Sequence, residues 1–255
     1  MSIPVQNALT TAEKVAASVA VATASNGLHY ATWGETRLGH AEMERLVTAV
    51  PAGLAPALDK RCYYFVPLVM AEGEATEVAS AFSVELSDRA ICHRNVTMGA
   101  VEGVFLSTRL VEDRFGLSFE FLINVAHNFV DTVGVPASFA DMIWSQAQAG
   151  VKGETSQDAW ETRRRALDPI LNSQGEPMPT DERARKVFEE SAFSDSLAIY
   201  MLSLAMDFDY HDLREREYPL LAAPALAERL RAVAALFPPN PGYDFQILYR
   251  RKGQS

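Results

Sequence analysis

Apolar side chains recur every three to four positions over residues 8–24, 37–50, 138–149, 156–167 and 224–236. That spacing lays one stripe of a helix against a core. Local signals bound these segments. Pro51 and Gly53 stop the second, Ser138 and Asp141 form a capping-box pattern in the third with Gly150 behind it, and Pro224 opens the last, which ends before Pro238-Pro239. "PTDERARKVFEESAFSDSLAIYMLSLAMDF" predicts a longer helix, reaching residue 207, with Thr180 as N-cap and Asp181 and Glu182 in the first turn, where the helix dipole favours carboxylates.

Strand signals are fewer. "CYYFVPLVM" is a short apolar, aromatic-rich run, and "YDFQILYRR" alternates Tyr243, Phe245, Ile247 and Tyr249 with polar residues. The stretch from Ser87 to Leu110 accepts either assignment. Residues 168–180, "DPILNSQGEPMPT", hold three prolines, Gly175 and Asn172, which predicts a loop able to separate two subdomains. With no internal repeat or long linker, the expectation is one domain over 1–255. Its expected class is helix-rich α+β: helices packed around a polar pocket, with a small, antiparallel sheet.

"SFEFLINVAHNFVD", residues 118–131, fits two periods. As a strand, Phe119, Phe121, Ile123 and Val125 alternate with their neighbours; as a helix, Glu120, Asn124, His127, Asn128 and Asp131 fall within about 100° of arc. The helical reading is preferred, because Gly134 and Pro136 close the segment as a helix end requires. A helix with so narrow a polar face is mostly buried, and its polar stripe then faces a cavity, a partner helix or a thin strip of solvent.

A second stripe lies near the end of the long helix, where Ser196, Tyr200, Ser203, Asp207 and His211 share a face. His127-x3-Asp131 and Asp207-x3-His211 are mirror images, and on antiparallel neighbouring helices they would bring two imidazoles and two carboxylates into one pocket. Such donors suit Fe, Mn or Zn. The metal ligands expected on this reading are His127, Asp131, Asp207 and His211, with Glu120, His127 and Asp131 as catalytic candidates and Asn124 and Tyr200 against substrate. The plainer reading makes these hydrogen-bonded core residues and a solvated helix end.

"SDRAICHRN", residues 87–95, sets Asp88, Arg89, Cys92, His93, Arg94 and Asn95 between two apolar segments. Arg89, His93 and Arg94 would hold an anionic substrate group, and adjacent cations would activate Cys92. An ordinary structural cysteine is the plainer alternative.

Charge and composition then remove whole classes. Thirty-three Asp and Glu against 23 Lys and Arg give a net charge of −10, the wrong sign for nucleic acid or an anionic membrane. The basic run Arg163-Arg164-Arg165 reads as a solvated helix face, with Glu161 and Arg165 spaced as an i,i+4 pair. Two cysteines cannot build a disulfide framework, and no apolar run reaches the roughly 18 to 20 residues of a membrane span, so a cytoplasmic protein is expected. Phosphate loops, a nucleophile elbow, HExxH and CxxCH are all absent. The expectation is an enzyme acting on a small molecule, a metal-dependent oxidoreductase or hydrolase that can form homo-oligomers. The rival is a non-catalytic ligand-binding or interaction protein.

Overall fold

The run "CYYFVPLVM" forms two strands divided at Pro67 in the computed structural model of the chain, which describes residues 9–73, 75–168, 181–213 and 217–247. The chain folds as two compact units, Met1–Val125 and Ala126–Ser255. The first contains β1 (Leu9–Thr11), α1 (Ala12–Ser18), β2 (Ala22–Thr23), β3 (His29–Thr32), α2 (His40–Thr48), β4 (Arg61–Val66), β5 (Leu68–Glu72), β6 (Ala75–Ala79), α3 (Val84–Ser87), β7 (His93–Met98) and β8 (Val101–Ser107). Helix α4 (Arg114–Val133) begins in this unit, and the boundary falls within it after Val125.

Two sheets organise the first unit. One has the order β1-β6-β5 and is antiparallel; the other has the order β2-β3-β4-β8-β7. In the larger sheet β3, β4 and β8 run parallel, with Tyr30 opposite Tyr63 and Tyr63 opposite Val104, while β2 and β7 pair antiparallel at its edges. The helix-rich α+β expectation, helices packed around a polar pocket with a small antiparallel sheet, is therefore corrected to a mixed α/β arrangement with two sheets. The physical reason lies in β4. From Cys62 to Val66 every residue is buried, which a central parallel strand requires because both of its faces are covered. Cys62, Tyr64 and Val66 pack with Ala12 and Val15 of α1 and with Val69 and Val78 of the smaller sheet. On the opposite face Tyr63 and Phe65 meet Phe121 of α4, with ring centroids 5.3 and 5.4 Å apart. Burying one such phenyl ring contributes roughly 1.5 to 3 kcal/mol.

The segment 118–131 is helical throughout, as preferred. Most of the ambiguous stretch before it, residues 93–107, is a β7–β8 hairpin, with Met98 opposite Val101. The alternation at 243–249 misled: Tyr243 to Ile247 adopt no regular structure, and the remainder lies outside the described residues.

The second unit holds the rest of α4 with α5 (Ala137–Gln148), α6 (Gln157–Leu167), α7 (Glu182–Ala205) and α8 (Ala223–Leu236), close to the expected helices. Asp181, not Thr180, caps α7, its carboxylate accepting from the backbone amides of Arg183 and Ala184, both at 3.0 Å. Ser138 caps nothing, because α5 starts from Pro136. The proline-rich stretch from 169 to 180 lies outside the described residues. Among the described residues no helix is long and apolar enough to cross a membrane.

Candidate functional site

Parallel strands end together, and the loops that follow their carboxyl ends enclose the crevice where α/β sheets bind ligands. In the first unit these loops are residues 33–39 after β3, Pro67 after β4 and residues 108–113 after β8. They line a cavity of about 230 Å³.

The β3 loop turns sharply. Gly34 has φ +74°, and a Cβ there would lie 2.4 Å from the Ser80 carbonyl oxygen, so only glycine allows this approach. The amide of Glu35 then donates to that same carbonyl at 2.8 Å. Thr36 is buried, and Arg37 follows at φ 58°, the one non-glycine residue at positive φ among the described residues. A left-handed backbone at a side-chain-bearing residue costs roughly 1 to 2 kcal/mol. Here it carries the Arg37 guanidinium over the Phe82 ring, 4.9 Å from its centroid.

The β8 loop is built differently. Ser107 donates to the Pro67 carbonyl at 3.2 Å and accepts from the Arg109 amide at 3.5 Å, capping a short 3-10 turn over Thr108–Leu110. Arg109 is clamped by the segment that precedes β7. One terminal nitrogen donates to the carbonyls of Ser87 and Ala90 at 3.2 and 2.5 Å, and the other contacts Cys92 Sγ at 3.5 Å. Its Nε is buried and has no hydrogen-bond partner among the described residues. An unsatisfied buried donor costs about 1 to 3 kcal/mol, more when it belongs to a charged group.

Glu35 and Glu112 also line the cavity. Among the described residues neither carboxylate forms an ion pair, and neither do Arg37 and Arg109. Two cations and two anions thus surround one small space without neutralising each other directly. Pro67, Phe82 and Val111 supply its apolar wall.

The residues singled out in the sequence lie elsewhere. His93 and Glu120 do meet, with Nδ1 2.5 Å from Oε1, but His93 is exposed, Glu120 partly so, and neither lines the cavity. Asn124 is buried and donates to the Glu120 carbonyl at 2.8 Å. His127 and Asp131, on the part of α4 that belongs to the second unit, are exposed, so the polar stripe divides into buried asparagines and outward charges. Arg89 is exposed and Arg94 partly so, on the edge strand β7.

The mirrored stripe also divides. Tyr200 is buried, donates to the Phe237 carbonyl at 2.8 Å, and has its hydroxyl pKa pushed up to about 12 by that burial. Helix α7 ends at Ala205, with Met206 extended at φ −159°, so Asp207 lies beyond the helix and His211 on a separate 3-10 turn, both exposed. The i,i+4 relation between them is lost. Among the described residues no three His, Cys, Asp or Glu side chains are grouped as an ion would require, so the four expected ligands are not brought together.

Arg163 is the residue of the second unit whose role was misread. Arg165 does pair with Glu161 on the surface, at 3.8 Å, but Arg163 is buried and donates to the carbonyls of Gly153 and Val151 and, at 3.1 Å, to Glu154. Glu154 also receives two hydrogen bonds from the fully buried Arg229, at 2.8 and 3.2 Å. Arg229 Nε donates to Gln146 at 2.8 Å. Every one of these contacts is satisfied, as a structural ion-pair network must be.

No protein-family model matches the chain, and it has no significant match among curated proteins.

Proposed function

We propose that the Met1–Val125 unit binds a small molecule through an anionic group, a carboxylate or phosphate, received by Arg37 and Arg109. The observation that carries this reading is the lining of one cavity by two guanidinium groups, neither paired with a carboxylate among the described residues. The loops that carry the two arginines hold them in place. The left-handed backbone at Arg37 is a local cost of the kind that persists where a side chain is held for a task, and the terminal nitrogens of Arg109 are fixed in direction by the carbonyls of Ser87 and Ala90. Arginine also suits the task chemically, since its planar fork engages carboxylate and phosphate oxygens in pairs.

The reading is one of binding, because the cluster on which metal-dependent oxidation or hydrolysis would rest is not assembled among the described residues. A cytoplasmic setting is part of the proposal, supported by the free thiols of Cys62 and Cys92. The net charge of −10 favours a small ligand over nucleic acid.

Thermal unfolding of the full chain with succinate, inorganic phosphate and each proteinogenic amino acid tests the reading. At least one of these compounds should stabilise the protein saturably, by about 2.7 kcal/mol at a hundred times its Kd. Arg37→Gln should lose the response. If nothing stabilises the protein, or Arg37→Gln responds as the parent does, the reading fails.

A further inference from the structure

We infer that the ligand of this cavity is a zwitterion: an amino-acid-like molecule whose carboxylate meets Arg37 and Arg109 and whose ammonium meets Glu35 and Glu112. This rests on the binding reading above and adds the second half of the charge pattern. All four charged side chains line the same cavity of about 230 Å³, and none of them forms an ion pair among the described residues. A dianion placed between the arginines would face two carboxylates of like charge. A diamine placed between the carboxylates would face two guanidiniums. Only a ligand that carries both signs meets partners at each end, and this makes charge pattern, more than contact area, the source of specificity.

The loops support this division. Glu35 adjoins Arg37 through Thr36 on the β3 loop, and Glu112 follows Arg109 by three residues on the β8 loop, so each loop brings one cation and one anion. The cavity volume suits a molecule the size of an amino acid. Its limited apolar wall of Pro67, Phe82 and Val111 leaves space for a short side chain.

Isothermal titration of the full chain compares each proteinogenic amino acid with succinate, inorganic phosphate and 1,4-diaminobutane, on the parent protein, on R37Q and on the double variant E35Q/E112Q. Glu35 and Glu112 are exposed, so their replacement leaves the fold in place. At least one amino acid is expected to bind with a Kd of about 1 mM or tighter. Its affinity should exceed that of both anions and the diamine, and E35Q/E112Q should weaken it by about tenfold or more while improving succinate binding. If succinate or phosphate binds through Arg37 as tightly as any amino acid, or if E35Q/E112Q leaves amino-acid affinity unchanged, the zwitterion inference is overturned and the binding function stands. If no compound binds, both are overturned.

Discussion

Arg37 and Arg109 line one cavity from loops that leave β3 and β8, the two strands flanking β4, and each sits in the same tripeptide, Thr-Arg-Leu. In both loops the threonine is buried, Thr36 at 8% and Thr108 at 3% exposure, so it anchors the turn that carries its arginine. The two positions bear different costs. Arg37 takes a left-handed backbone, and Arg109 takes an orphaned Nε within an otherwise satisfied clamp.

Arg37→Gly separates binding from folding. Glycine relieves the positive φ, while loss of the contact with Phe82 removes about 0.5 to 1 kcal/mol, so the two terms largely offset. Urea unfolding should place the variant within about 1 kcal/mol of the parent. Ligand binding should nevertheless weaken at least tenfold, the loss of one charge-assisted contact. A stability loss well beyond that range would mean that Arg37 is held for structure.

Arg109→Lys tests the clamp. A lysine is a single cationic centre and cannot reproduce a fork that spans the carbonyls of Ser87 and Ala90 and the Cys92 sulfur. The expected loss is about 1 to 3 kcal/mol. It should be local: hydrogen exchange should quicken at the amides of Ile91 and Ser107, which donate to Val69 and Cys92, before it quickens on β4. Uniform acceleration across the unit would instead make Arg109 part of the global core.

The helices of the second unit were legible because their periods are local, whereas the helix expected over 8–24 shrinks to Ala12–Ser18 between strands Leu9–Thr11 and Ala22–Thr23, which pair with residues distant or downstream in sequence. The α5 and α8 boundaries fall within a residue or two of Gly150 and Pro224, although the caps themselves, Asp181 on α7 and Ser156 on α6, were not the residues the pattern had named. The sheet was harder. Tyr63 and Tyr64 read as apolar neighbours, and that they face opposite ways, one to Phe121 and the other to Phe105, depends on partners distant in sequence. The candidate cavity was missed for a related reason. Arg37 and Arg109 lie 72 positions apart and line one cavity only because β3, β4 and β8 are parallel. The available signal was polar residues directly after apolar strand segments, "WGETRLG" and "LSTRLVE". His127 and Asp131 kept the expected helical spacing, yet spacing does not say which side of a helix is covered.

Removing one charge from the second unit's buried network leaves its partners uncompensated. Glu154→Gln would strand the cationic Arg163 and Arg229, which are 5% and 0% exposed, at a cost of about 3 to 5 kcal/mol. Glu161→Gln, which breaks only the exposed pair with Arg165, should cost no more than about 1 kcal/mol. Equal losses for the two variants in urea unfolding would show that the network is not the determinant of stability inferred from its burial.

The two cysteines should differ in reactivity. Cys62 is 3% exposed within the buried run Cys62–Val66 of β4, and that burial raises its thiol pKa, whereas Cys92 is partly exposed beside Arg109. A chromogenic disulfide reagent should titrate one thiol in the native protein and both in denaturant. Cys92→Ser should abolish the native reaction. Rapid modification of Cys62 in the folded protein would contradict the packing of α1 against β4.

Asp195 predicts a pH dependence of the opposite sign to that of an ordinary carboxylate. Burial raises its pKa from 3.8 to about 6, an effect only partly offset by hydrogen bonds from Ser156 and Thr155, the latter at 2.8 Å. Glu154 raises it further and Arg229 lowers it. Between these two pKa values the folded protein binds more protons than the unfolded chain, so its contribution to stability falls as pH rises through that window. The deficit, on the order of 3 kcal/mol, is fully developed above pH 6. Asp195→Asn keeps an acceptor for the Thr155 hydroxyl and removes the titration. The variant should be more stable than the parent by about 1 to 3 kcal/mol at neutral pH, with the difference vanishing below pH 4. Urea midpoints that keep a constant separation across this range would rule out a raised pKa at Asp195.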